Sequence, residues 1–178
     1  DDYQMLFTTN HDKNAWEGTL EEFFGPLYEA FVVLTFTAEG IPLIYSGQEA
    51  GFDEPLAFFE KDTITWQKHY IGELFQSLSH LKSSQPALWN GDAGGKMWPL
   101  ITSNEAAIYS FIRIKAGHPK VLVTTNLSDT TVAFSYKSSL SHGHYSGLFS
   151  GQKLTLEKGT GVTLPPHGYE VWIEHKSL

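Results

Sequence analysis

Apolar residues follow two rhythms along this chain, and the change between them divides it. In the first half, YQMLFTT (3–9) reads as a short buried strand. After a polar loop, Leu20, Phe23, Phe24, Leu27, Phe31 and Leu34 recur at helical spacing. This stripe predicts one amphipathic helix ending near Gly40. Its start carries a capping-box pattern, Thr19 with Glu22 three residues on, and the paired acids Glu21 and Glu22 suit the positive end of a helix dipole. IPLIYSG (41–47) is apolar at nearly every position instead of alternating, as expected of a parallel strand covered on both faces. A second stripe, Ile71, Leu74, Phe75, Leu78 and Leu81, predicts a helix that closes before Pro86. The order is strand, helix, strand, helix.

From about Trp89 the helical period is gone. Short strand-like runs, AIYSFIRI (107–114), KVLVTTNL (120–127) and TVAFSY (131–136), are separated by turn-like stretches, which predicts an antiparallel β-sandwich. In the last run, GYEVWIE, Tyr169, Val171 and Ile173 alternate with Glu170, Trp172 and Glu174, so one face is expected to be buried and the other largely wet. The expected fold class is α/β followed by all-β, with a boundary near residue 90 separating 1–89 from 90–178.

Two βα units leave sheet edges and a sheet face uncovered, so the first half is expected to need further units to complete a layer or a barrel. In βα architectures the loops at the C-terminal ends of the strands converge on one mouth and form the site. FTTNHD (7–12) puts Asn10, His11 and Asp12 at such an end, and SGQE (46–49) lies at the next. Taken alone, NHD is as well explained by a turn, because Asn and Asp bond readily to local backbone. Taken alone, Asp12 and Glu49 at one mouth also invite an acid-and-nucleophile assignment.

Composition narrows the function classes. The chain has 178 residues, 41% hydrophobic and 18% charged, so a packed core is expected and disorder is not. A formal charge of −8 with scattered Lys and Arg argues against a nucleic-acid partner. No cysteine is present, which excludes disulfides and thiolate chemistry. No apolar run is long enough for a membrane span, and DDYQM lacks a signal-peptide layout, so the chain is expected to start downstream of a further N-terminal region. The compartment stays open, with secretion or a periplasm favoured over the cytoplasm.

FTTNHD, then GIPLIYSGQEAGF, then FFEKDTITW and a β-rich tail closing with LPPHGYEVW together resemble the C-terminal part of the α-amylase superfamily, the thirteenth glycoside hydrolase family. The resemblance runs from about Gln4 to Ile173. Its strongest element is NHD followed at the next strand by Gly40, Pro42, Gly47 and Glu49. It implies the last two βα units of a catalytic (β/α)8 barrel, then a Greek-key β-sandwich.

The implied activity is retaining hydrolysis of α-1,4-glucans such as starch and maltodextrins, with an α-glucan or maltooligosaccharide as partner. Such enzymes use one carboxylate as nucleophile and another as acid across an oxocarbenium-like transition state. Asp12 matches neither of these in the family pattern. It matches a third carboxylate that grips sugar hydroxyls and tightens in the transition state. His11 matches the imidazole beside it, and Asn10 orients the strand end and is counted with His11 as substrate-binding. Successive strand residues face opposite ways, so His11 and Asp12 reach one sugar only if the strand gives way near Asn10. Nucleophile and acid would lie on barrel strands outside these residues, which makes Glu49 a loop-positioning residue and the isolated chain inactive. Alternatives are a glucanotransferase or α-glucosidase of the same family, or a non-catalytic carbohydrate-binding module.

Other groups have plainer readings. Trp16 could stack on a sugar, but loop aromatics more often cover apolar neighbours, and it is not counted in the site. His142 and His144 share a strand-like spacing without a third ligand, in what reads as a solvated turn. Asp53, Glu54, Glu60 and Asp62 lack the spacing of a calcium loop and read as solvated charge. Lys13 either assists substrate contact or screens Asp12. No cofactor or metal is expected in this segment; calcium is compatible with the full-length enzyme.

Overall fold

Two very short strands, β1 (Met5–Leu6) and β2 (Ile41–Pro42), pair in parallel near the start of the computed structural model, which describes residues 3–175. The ladder continues through Ile41 N–H to the Gln4 carbonyl at 2.9 Å and Leu43 N–H to the Leu6 carbonyl at 2.8 Å. Gly40 permits this approach. Its φ is +152°, and a Cβ there would lie 2.7 Å from both the Gln4 carbonyl oxygen and Leu6 Cγ. The pairing is parallel as expected, but the strands are not covered on both faces: Met5 is 57% and Ile41 47% exposed. No third strand flanks them among the described residues. The near-continuous apolar pattern therefore calls for a covering that these residues do not supply.

The helix expected from Leu20 onward is broken. α2 (Leu20–Phe24, after α1, His11–Trp16, described below) gives way to a tight turn over Gly25–Leu27, and α3 runs over Tyr28–Thr37. Gly25 has φ +46° and Pro26 lacks an N–H, so a continuous ladder cannot pass through them. The capping box is present. Thr19 Oγ1 accepts from Glu22 N–H, and Glu22 accepts from Thr19 N–H at 2.8 Å. α3 is apolar all round and buries Ala30, Val32, Val33 and Phe36, while Phe31 and Leu34 of the expected stripe stay half-buried.

α4 (Tyr70–Ser84) buries all five positions of its stripe, Ile71, Leu74, Phe75, Leu78 and Leu81. Each such side chain contributes roughly 1.5–3 kcal/mol by leaving water. The Phe75 ring lies 5.9 Å from that of Phe36, and Lys82 Nζ donates to the Phe36 carbonyl at 3.2 Å, so α4 is fastened to α3.

The chain divides into two compact units, the first ending at Ser84 and the second beginning at Gln85. The second is β-rich. β3 (Lys96–Pro99), β4 (Ile108–Ile114), β5 (Val121–Asn126), β7 (Gly143–Gly147), β8 (Lys153–Leu156) and β10 (Tyr169–Glu174) form one antiparallel sheet in the order β3-β4-β5-β10-β7-β8. β6 (Val132–Ser135) and β9 (Gly161–Leu164) form a second. Side chains from both, including Ile112, Leu122, Phe134, Val162 and Trp172, share one core.

The expected wet face of β10 is not wet. β10 lies between β5 and β7, and Glu170, Val171 and Trp172 are all buried. Trp172 enters the shared core. The Glu170 carboxylate accepts from Phe149 N–H at 3.1 Å and Ser150 N–H at 3.0 Å, which offsets the cost of burying it. His144 lies on β7 with Nδ1 3.0 Å from Thr155 Oγ1, so Gly143–Gly147 is a paired strand, while Ser139–Ser141 and the exposed His142 before it form the turn expected.

Candidate functional site

The first strand does give way before Asn10. β1 ends at Leu6, Asn10 is extended (φ −147°, ψ −176°), and its side-chain oxygen accepts from Lys13 N–H at 2.9 Å as the N-cap of α1 (His11–Trp16). A cap of this kind satisfies a donor that the helix itself leaves open. His11 and Asp12 are thus consecutive residues of a helical first turn instead of opposite faces of a strand. His11 Nε2 lies 3.5 Å from Asp12 Oδ2, with the side chains 66% and 62% exposed. Lys13 Nζ pairs with Glu17, one helical turn on. It does not screen Asp12 through any ion pair in the structure.

At the second strand end Gly47 adopts φ +96°, and Glu49 Oε2 accepts from Gly47 N–H at 3.1 Å. The carboxylate closes its own turn. Gln48, which the motif reading passes over, makes the longer connections. Its Nε2 donates to Thr8 Oγ1 at 2.8 Å and to the Tyr28 hydroxyl at 3.1 Å, and its Oε1 accepts from Tyr45 N–H at 2.7 Å. One buried amide therefore joins β1's exit, α3 and the turn after β2. No local signal marks Gln48, which stands between Gly47 and Glu49; only its burial makes internal partners necessary. Burial pushes the Tyr28 phenol well above its ordinary value, against a smaller opposing effect of the Gln48 bond. A cavity of about 140 Å³ beside Gln48 is lined also by Leu20, Tyr28, Phe52, Asp53 and His69. His11 and Asp12 do not line it.

The loop following Gly51 is held against α1. Buried Asn14 donates through Nδ2 to the Glu54 carbonyl at 3.0 Å and accepts through Oδ1 from Leu56 N–H at 2.8 Å. Asp53 and Asp62 are not merely solvated charge. Asp53 Oδ1 accepts from Leu20 N–H at 2.7 Å at the start of α2. Asp62 accepts from Ala57 N–H at 2.8 Å and Thr63 N–H at 2.7 Å, and these bonds, Ala57's first, lower its pKa. Among the described residues no three His, Asp or Glu side chains converge as metal ligands. The same loop brings the Phe58 ring 5.8 Å from the His11 ring.

No family model matches the chain. A β/α-amylase of Paenibacillus polymyxa is 27% identical over 154 residues, covering 83% of this chain and 12% of that protein. A maltogenic α-amylase of Thermotoga neapolitana superposes with a TM-score of 0.78 at 17% identity, covering 98% of this chain and 42% of the other. The α-amylase of Geobacillus thermoleovorans, solved with acarbose, gives 0.77 at 16% identity, over 99% and 40%. A cyclomaltodextrinase gives 0.71 at 19% identity, over 97% and 29%. The fold is that of part of an α-amylase-type enzyme. The chain spans less than half the length of these relatives.

Proposed function

We propose that the chain is the C-terminal part of a retaining glycoside hydrolase of the α-amylase type, acting on α-1,4-glucans. In this reading residues 1–89 supply the last two βα units of a (β/α)8 barrel and residues 90–178 a Greek-key β-sandwich. Asp12 is the carboxylate that stabilises the transition state, His11 binds the same sugar, and Asn10 orients both and belongs to the substrate-binding set.

The observation that supports the reading best is the juxtaposition of His11 and Asp12. Both project from one helical turn that follows a parallel strand after residues 7–10, 3.5 Å apart and open to solvent. An imidazole and a carboxylate so placed can donate to and accept from neighbouring hydroxyls of one ring. Asp12 gains most when those hydroxyls shift as the ring flattens toward the oxocarbenium ion, which is differential binding of the transition state. The fold relatives include an α-amylase solved with acarbose and a protein, AmyP, solved with maltose, in keeping with an oligosaccharide ligand.

Nucleophile and general acid are assigned to polypeptide outside these residues. Glu49 is engaged by Gly47 N–H and is a turn-positioning group in this reading. The isolated 178-residue chain should therefore leave soluble starch intact; release of reducing ends by the purified chain would show that the reactive carboxylates are present after all.

A further inference from the structure

Residues 7–10 carry the chain from β1 to α1 with little backbone support. The Leu6 carbonyl accepts the last bond of the parallel ladder, from Leu43 N–H, and the Asn10 carbonyl accepts the first bond of the helix, from Asn14 N–H at 2.9 Å. Thr9 Oγ1 and the Asn10 side chain bond only within the segment and the first turn of α1. Among the described residues, one hydrogen bond ties residues 7–10 to a distant part of the chain, that from Gln48 Nε2 to Thr8 Oγ1. The segment delivers Asn10, His11 and Asp12, so their placement depends on where Thr8 is held.

Gln48 is itself fixed. Tyr45 N–H can only donate, and its bond to Oε1 turns the Nε2 side of the amide toward Thr8 and Tyr28. Gln48 N–H returns a bond to the Tyr45 carbonyl at 3.1 Å. Both Nε2 hydrogens are then committed, one to the Thr8 hydroxyl and one to that of Tyr28. Gln48 is 3% exposed, so water does not compete for these bonds.

We infer that Gln48 is a positioning residue for His11 and Asp12, acting through the Thr8 hydroxyl. This rests on the α-glucan reading for the reaction that is served, but not for the placement of the pair. In that reading Asp12 binds most strongly in the transition state, so displacing it lowers kcat more than it raises KM. A misplacement on the order of 1 Å is enough to cost up to about 10²-fold.

Three substitutions separate positioning from stability. Thr8→Val removes the acceptor at nearly constant shape, Thr8→Ser keeps it, and Tyr28→Phe removes the other hydroxyl partner of Gln48 without touching residues 7–10. Two readouts apply: the Asn10–Lys13 amide and His11 ring NMR signals of the 178-residue chain, and kcat and KM of the whole protein on a maltooligosaccharide. Thr8→Val is expected to shift those signals and to lower kcat about tenfold or more with KM little changed. Thr8→Ser is expected to restore most of both, and Tyr28→Phe to leave kcat near that of the parent. In a Gln48→Leu background, Thr8→Val should lower kcat no further. An amide spectrum unchanged elsewhere shows that the variants are folded. Unmoved signals in Thr8→Val, an undiminished kcat, or an equal kcat loss in Tyr28→Phe overturns the positioning role and leaves the glucan reading standing. Shifted signals, with no turnover of the maltooligosaccharide by the unsubstituted whole protein, keep the placement and overturn the glucan reading.

Discussion

Gln48 Nε2 donates to Thr8 Oγ1 at 2.8 Å, and through that bond the exits of two parallel strands are tied together. The amide is buried and also serves Tyr28 and Tyr45 N–H. Replacing it with Leu would strand these groups. Gln48→Leu is expected to destabilise the fold by about 1–3 kcal/mol, the cost of buried polar groups left without partners. Gln48→Glu keeps the acceptor for Tyr45 but loses the amide donors at neutral pH, and should cost a similar amount. Denaturant midpoints at constant m-value measure both; an unchanged midpoint would remove Gln48 as the link.

Gly40 carries the second prediction. A methyl group there would sit 2.7 Å from the Gln4 carbonyl oxygen, at a φ of +152° that L side chains rarely adopt. Gly40→Ala should therefore push β2 away from β1 at a cost of roughly 1–3 kcal/mol. Faster hydrogen exchange at the Ile41 and Leu43 amides, which bond across to β1, is the direct readout. Unaltered exchange at both would show that the backbone relaxes without losing the pair.

Asp62 gives a prediction about pH. Its carboxylate is held below the ordinary aspartate range by the N–H groups of Ala57 and Thr63, in that order. A depressed folded pKa means that the bonded loop is fully favoured above the unfolded value and loses that favour as pH falls through the lowered one. The amide signals of Ala57 and Thr63 should move together on acidification, with a midpoint below that of a free aspartate, and Asp62→Asn should abolish the transition. A midpoint at the ordinary value would mean that these bonds do not hold the loop.

Much of the scaffold could be read in the chain because the relevant signals are local. α4 buries every residue of its stripe, and Thr19 with Glu22 forms the capping box, since both depend on spacing within one helix. The strands Ile108–Ile114 and Val121–Asn126 lie within the runs expected. The misses are of another kind. The apolar stripe from Leu20 to Leu34 runs straight across Gly25–Pro26, where the backbone cannot follow it. The alternation of β10 gives its two faces but not its neighbours, and a central strand buries both.

At the candidate site, NHD was legible as a cluster because three hydrogen-bonding residues close a strand. That the strand gives way near Asn10 followed from the need for His11 and Asp12 to reach one ligand, whereas the residues after Asp12 read as a polar loop and instead form the helix His11–Trp16. Gln48 and Asn14 act through partners far away in sequence, Thr8 for Gln48 and Leu56 for Asn14, and no local pattern announces them.

The central claim is that Asp12 stabilises a transition state while Glu49 only shapes a turn. The direct measurement is kcat of the whole protein on a maltooligosaccharide for Asp12→Asn beside Glu49→Gln. Asp12→Asn is expected to lower kcat by roughly 10²–10³-fold, the range for removing one preorganised transition-state contact, with Glu49→Gln retaining most of it. Equal losses in the two variants, or an undiminished Asp12→Asn enzyme, would contradict the account.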